Sequence, residues 1–397
     1  MNTTYPTVRP FLHQSQAITF SEWISLLTLF LAPVIAHVVA GIPRPTYLIN
    51  TPASALPKWH DYLALYSPVT IIWRYAALAD RRLRVSPSPT HALDDDQRTW
   101  GPADLAAANA IFWTSSGWDG SEEMAVRSVL YCTSLPRTGH ATLLSVDTLQ
   151  TVIVTLQGVQ AIYQFAGAFA GTVSVRMSID TISFPIAFLG LVRLYAAAWI
   201  SSDYEYIARS DVGGCVPVEM VPVGGDGDDE QGMVDNDERR LMAREEETRG
   251  AKSEVFSLAR FRATSWPSRI FRVIYIVPVA MFWMLSMLFT LPGRWQVGRI
   301  FPLTNYLAAV NGSVSFLFIL LVYVHYSVRV GCRSTVIPCV SKMWYKVLLC
   351  ASYAVMTGIV IVSALETRRA RCGVYSTFGR EMDAYVCAEF DPTTQGT

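Results

Sequence analysis

Charge is scarce in this chain. Only 16% of its 397 residues are Asp, Glu, Lys or Arg, whereas 51% are hydrophobic, and ordinary soluble domains carry about 25% charged residues. Lys+Arg and Asp+Glu both number 32, so the whole-chain charge points to neither nucleic acid nor an acidic partner. Seven scattered cysteines, with no CxxC and no Cys/His spacing suited to zinc, exclude a disulfide framework or a structural zinc site. No GxxxxGK[ST], GxSxG or HExxH pattern occurs, so nucleotide-driven transport and the familiar hydrolase classes have no support, and no cofactor is implied. The Asp94, Asp95, Asp96 cluster is followed by Gln97 and Arg98, which break a metal-diphosphate repeat. The acids of Asp226 to Glu230 lack the glycine and closing Glu of a calcium loop.

Long apolar runs are what the chain does have. A helix needs roughly 20 mainly apolar residues to cross a bilayer core. Six stretches meet that length: Trp23 to Gly41, Thr148 to Val173, Ile182 to Ile200, Val273 to Leu291, Leu303 to His325, and Tyr345 to Ala364. A seventh, Tyr62 to Ala79, is broken by Pro68 and carries Arg74 near its middle. A central Arg costs roughly 2.5–3.5 kcal/mol on insertion scales, which favours an interfacial or re-entrant placement for this segment. The expected fold is therefore all-α, a polytopic membrane helix bundle with six transmembrane helices, or seven if 62–79 spans. Arg9 and His13 precede the first run with no short apolar core ending at a small-residue site, so that run reads as a retained span.

Polar segments divide these runs. Residues 1–22 form an N-terminal tail, 80–147 a cytosolic polar region and 148–200 a transmembrane hairpin. The 201–272 loop combines an acidic, disordered-type segment at Gly224 to Arg249 with a basic amphipathic helix, and 365–397 form a C-terminal tail. Arg81, Arg82 and Arg84, then Arg209, Arg260, Arg262, Arg269 and Arg272, then Arg329, Arg333, Lys342 and Lys346 all fall on one side, assigned to the cytosol by the positive-inside rule. The C-terminal tail then faces outward, which suits a Cys372 to Cys387 bridge but conflicts with Arg368, Arg369 and Arg371 at the membrane edge. With 62–79 at the interface the N-terminus also lies outside, where the Asn2-Thr3-Thr4 sequon is open to glycosylation.

Polar residues inside the runs mark the places to examine. Gln150, Gln157, Gln160 and Gln164 share one helical face, and Gly167 with Gly171 makes a GxxxG pattern for close helix approach. Arg193 lies about 18 Å along the third run at 1.5 Å per residue, level with Gln160 on the hairpin partner, so a contact with Gln160, flanked by Gln157 and Gln164, is expected. That set is the candidate binding site. No run contains an Asp or Glu, so the carboxylate relay of many cation-coupled carriers is missing, and a basic residue among amides suits an anion or a lipid head group. His37 reads as a packed residue, since no second His or carboxylate lies at metal-binding spacing. Trp113, Trp118, Asp119, Glu122 and Glu123 read as a small packed subdomain in preference to a pocket.

The functional expectation is a non-enzymatic transporter, sensor or scaffold in a plasma membrane or endomembrane, interacting with the bilayer and with a small molecule or lipid. The alternative is an integral membrane enzyme acting on an apolar substrate at the cytosolic face. Oligomeric state has no signature in the sequence.

Overall fold

The computed structural model describes residues 7–15, 18–48, 56–85, 100–170, 190–207, 261, 265–290 and 300–387. The chain is mostly helical, with α1 at Phe20–Gly41, α2 at Trp59–Leu65, α3 at Pro68–Arg84, α4 at Pro102–Asn109, α5 at Glu122–Ser128 and α6 at Val146–Ala170. Then come α7 at Trp266–Thr290, α8 at Leu303–Arg329 and α9 at Met343–Glu366. Four of these are long and apolar enough to cross a membrane among the described residues: Phe20–Gly41, Trp266–Leu288, Leu303–Arg329 and Met343–Glu366. Their apolar side chains face outward, with Ile35 and Val39 on α1, Val273 and Val277 on α7, Val314 on α8 and Val355 on α9 all exposed. Apolar surface that extensive requires lipid or another protein as its solvent.

Local signals set the helix limits. Thr19 caps α1, its amide donating to the Glu22 carboxylate at 2.8 Å, and the chain turns extended at Ile42 just before Pro43. Ser67 caps α3, accepting from the Thr70 amide at 3.2 Å, and Pro68 takes the first helical position, where its missing N–H costs nothing.

The placement of α3 organises the molecule. Every residue from Val69 to Arg81 is buried, and the helix touches the same-side ends of all the candidate spans. The Tyr323 hydroxyl of α8 donates to the Val69 carbonyl at 2.6 Å, and the Tyr275 hydroxyl of α7 donates to the Ile72 carbonyl. Arg74 reaches the last carbonyl of α1, and the Trp73 indole donates at 2.9 Å to Ser334 in the connection leading to α9. Gly41 lets α1 end against α3, because a Cβ there would sit 2.2 Å from Ile71 Cγ2. Segment 62–79 is not among the helices long and apolar enough to cross a membrane. It is broken at Tyr66 and Ser67, and its second half is a crossbar enclosed by protein, which supplies Arg74 with acceptors that a lone helix in lipid would lack.

Around α3 sits a head built from α2, α4, α5 and a small sheet of β2 (Pro45–Thr46), β3 (Ile111–Thr114) and β4 (Gly117–Asp119), in that order. β2 pairs parallel with β3, and β3 antiparallel with β4. Gly117 makes the tight turn at φ +109°, and any side chain there would strike Ser341. Trp113 and Trp118 are buried with ring centroids 4.8 Å apart.

The far ends of the spans gather separately. β1 (Thr7–Val8) pairs parallel with β5 (Ile300–Phe301), and the Gln14 amide donates to the Leu365 carbonyl at 2.9 Å. Glu366 at the end of α9 accepts from the Thr304 amide at 3.1 Å and its hydroxyl at 2.5 Å, tying it to the start of α8. The Tyr375 hydroxyl donates to Glu22 at 2.6 Å, and a Cys372–Cys387 disulfide with a Cα separation of 5.8 Å closes the tail.

The six expected spans exceed the four candidates found among the described residues. Val146–Ala170 is a continuous helix packed on α1, but its glutamines dilute its apolar character and it is not among the four. Residues 190–195 and 197–199, the described part of the third run, are 3-10 turns and not α-helix. Of the basic amphipathic segment, buried Phe261 and the residues from Ser265 onward are described, and Trp266 to Arg272 form the first turns of α7. Asn2, the Asp94 cluster, Gly171 and the acidic 224–249 segment lie outside the described residues.

Candidate functional site

The densest concentration of buried polar groups surrounds α3. Arg193 is fully buried. Its Nε donates to Thr151 Oγ1 at 2.7 Å, its Nη2 to the Asp147 carbonyl at 3.1 Å, and its Nη1 to the Ala40 carbonyl and to the Tyr75 hydroxyl, the last at 3.3 Å. Next to it Arg74 Nη1 donates to the Gly41 carbonyl at 2.6 Å and Nη2 to Asn109 Oδ1 at 2.9 Å. Asn109 in turn donates to the Trp199 carbonyl at 2.8 Å. Two guanidinium groups therefore occupy the C-terminal end of α1, a helix with no basic residue of its own in its last turn. That end carries unsatisfied carbonyls and the negative pole of the helix dipole.

Arg193 does not meet Gln160, as the sequence had led us to expect. It sits against the first turns of α6, at Thr151 and Asp147, the nearer of them about 13 Å along that helix from Gln160 at 1.5 Å per residue. Gly190 permits the approach, since a Cβ there would lie 2.4 Å from Val154 Cγ1. Thr151, Val154, Gly158 and Ala161 form the packed face of α6, whereas Gln157 is half-buried and Gln160 exposed. Gln157 and Gln160 lie beside the packed face. Gln164 and Gly167 follow on the same helix, nearer its C-terminal end.

His37 lies one turn before the carbonyls that the arginines cap. It is buried, with its ring edge-on to Tyr75 at 6.5 Å between centroids, and neither ring nitrogen has a hydrogen-bond partner.

A second cluster centres on Asp80. Its carboxylate accepts from Arg84 Nε at 2.8 Å, from Arg272 Nε at 2.9 Å and from the Ser268 hydroxyl, and Arg84 also pairs with Glu122. Arg81 donates through Nη2 to the Gly120 carbonyl at 2.7 Å. Burial pushes its guanidinium down to about 10, opposed by Glu122, so it stays charged at neutral pH.

A third pair, Asp61 with Lys346, fixes α2 to the start of α9. Burial raises the Asp61 carboxyl, but the Lys346 hydrogen bond, the Lys58 amide and the Lys346 charge outweigh it, leaving the group below its ordinary value. The remaining acids of the head are also engaged. Asp119 Oδ1 accepts from the Ser121 amide at 2.8 Å and Asp104 Oδ2 from the Gly101 amide at 2.8 Å. Among the described residues no group of three or more His, Cys, Asp or Glu is placed to hold a metal ion.

No family model, curated protein or solved structure matches the chain. The site must therefore be read from its chemistry alone.

Several residues of this layer escape sequence reasoning. Arg74 stood out only as an obstacle to spanning, Asp80, Arg81, Arg84 and Asn109 fell in the cytosolic polar region, where the arginines served only to set orientation, and Asp61 drew no reading. One signal was available: α3 bears charges at positions 74, 80, 81 and 84 on more than one face, a pattern that suits neither a lipid-facing nor a surface helix.

Replacing Arg193 by Leu removes its donors from the Ala40 carbonyl, the Thr151 hydroxyl and the Tyr75 hydroxyl, and we expect a loss of about 3 kcal/mol, read as a lower unfolding midpoint in detergent. Arg193→Lys should recover only part, since an ammonium lacks the fork that reaches four acceptors on three segments. For Asp61 the folded carboxyl is depressed, so its contribution is present above the ordinary value of 3.8 and is lost as the pH falls below that through the folded value. Asp61→Asn should flatten that acid limb of the stability curve, and an unchanged limb would show that other carboxylates set it.

Proposed function

We propose that this protein is a non-catalytic multipass integral membrane protein, a scaffold or sensor whose ligand is a lipid or an apolar small molecule. The observation that carries this reading is the commitment of the buried charges. Arg74 and Arg193 donate to backbone carbonyls at the end of α1, and Asp80, Arg84, Arg272 and Glu122 satisfy one another. These groups hold helices to the head, and the head's acids serve caps, turns and ion pairs. A general acid or nucleophile needs a partner it can exchange with substrate, and this arrangement supports joining over turnover.

For orientation, we place the head on the cytosolic side and both described tails on the opposite, oxidising side. Support comes from the basic residues near α3, from the disulfide at the other end, and from Cys132, Cys332 and Cys339 in the head and its connections, which are not in disulfides. The tail arginines are compensated: Arg368 and Arg371 pair with Asp383, the latter at 3.6 Å, and Arg369 lies 3.8 Å from Glu22. Paired charge is a weaker retention signal than the bare count of arginines.

Sidedness is checked by thiol labelling with a membrane-impermeant reagent. In intact cells Cys132 should stay unlabelled until the membrane is opened, while Cys372 and Cys387 should label from outside only after reduction. The reverse pattern would invert the orientation. For function, lipids and metabolites are profiled after deletion and after complementation with the wild-type chain or Arg193→Leu. We expect no substrate and product pair to move in opposite directions. Accumulation of one species with depletion of a chemically related one, restored by the wild-type chain alone, would favour the enzyme.

A further inference from the structure

At the head-side ends of the spans, exposed aromatic and basic side chains alternate. Trp266 opens α7 at 74% exposure, and the Arg269 guanidinium stands 5.6 Å from its ring centroid. Arg329 closes α8 and is exposed. Lys342 and Trp344 open α9, with Trp344 at 52% exposure, and Trp59 opens α2 at 71%. These ends are neighbours: Arg272 of α7 donates to the Ser327 carbonyl of α8 at 3.2 Å, and Lys346 of α9 pairs with Asp61 of α2.

Arg269, Arg329 and Lys342 make no ion pair among the described residues, in contrast to Arg272 and Lys346 one turn deeper and to the paired arginines of the opposite end. On the head side the spans therefore end in cations without an ion pair among the described residues, beside exposed indoles. Indole rings settle at the level of lipid head groups, and unpaired Lys and Arg at that depth meet phosphate and carboxylate groups with donors that nothing else occupies.

We propose that this collar, Trp59, Trp266, Arg269, Arg329, Lys342 and Trp344, is a binding surface for the head groups of acidic phospholipids in the leaflet next to the head. The inference rests on the reading of the chain as an integral membrane protein. It deepens that reading by assigning the lipid class and the face. Charge complementarity decides the occupant, because zwitterionic head groups offer the collar no net attraction, and a protein partner would leave the indoles at the ends of lipid-facing helices without their interface.

The test uses the full chain reconstituted into nanodiscs of phosphatidylcholine with a minor fraction of phosphatidylserine, followed by measurement of the phosphatidylserine retained per protein after transfer to detergent. Wild type should retain phosphatidylserine above its bulk fraction, and each neutralised collar charge should lower its apparent affinity about fivefold. The triple variant R269Q/R329Q/K342Q should lose the enrichment while keeping the unfolding midpoint, because all three side chains are exposed. R371Q, at the opposite end, should keep it. Equal retention in wild type and triple variant, or equal loss in R371Q, overturns the proposal. Failure of the chain to enter nanodiscs at all would instead count against the membrane reading on which it rests.

Discussion

A guanidinium removed from water must find acceptors, and the end of a helix must find donors. At Gly41 the two requirements meet. Arg74 and Arg193 arrive from separate segments and donate to adjacent carbonyls of α1, satisfying groups that helix geometry leaves open. Desolvating each cation costs several kcal/mol in a low-dielectric interior, a cost offset only if most of its donors are used. Arg193 uses all three of its nitrogens, on Thr151, Asp147, Ala40 and Tyr75. The register of α6 against α1, and of the 3-10 turns against both, follows from that requirement.

The same logic explains the course of α3. A helix with charges on several faces is stable only where each face meets a matching group. Toward α1 the match is carbonyl oxygen, toward α7 it is the Arg272 guanidinium on Asp80, and toward the head it is Glu122 on Arg84 and the Gly120 carbonyl on Arg81. Between these, Val69 and Ile72 keep their helical carbonyls while accepting a second bond from Tyr323 and Tyr275. Polar anchors set the position and the apolar contacts of Ile71, Ile72, Trp73 and Leu78 fill the space between.

This division separates what the sequence reveals from what it conceals. Length and hydropathy locate α1, α7, α8 and α9, because a span is a one-dimensional property of the chain. The Asp61 and Lys346 pair lies 285 residues apart, and no local pattern joins such partners. Arg74 shows the limit most plainly. Its insertion cost was legible, but the relief of that cost by Gly41 and Asn109 depends on the fold. Arg193 was legible as a cation within an apolar run, and its partner was not, since a count along the third run does not fix which turn of α6 it meets. The glutamine stripe was legible as a stripe, but which neighbour packs on α6 decides the face, and Val154 with Gly190 decides it against the amides.

The anchors also constrain how the molecule can move. α3 is tied to α1 through Arg74, to α7 through Asp80 and Tyr275, to α8 through Tyr323, and to the connection leading into α9 through Trp73. Sliding one span along its axis by a helical turn would break a charged hydrogen bond in a dry interior, where an orphaned donor costs about 1–3 kcal/mol or more. Small displacements therefore move α3 as a body and carry the head with it, since Arg81 and Arg84 hold Gly120 and Glu122. A bundle built this way ties its outward-facing apolar helices to the head chiefly through α3, with Lys346 on Asp61 as a second tie, a coupling that the proposed scaffold or sensor role would use.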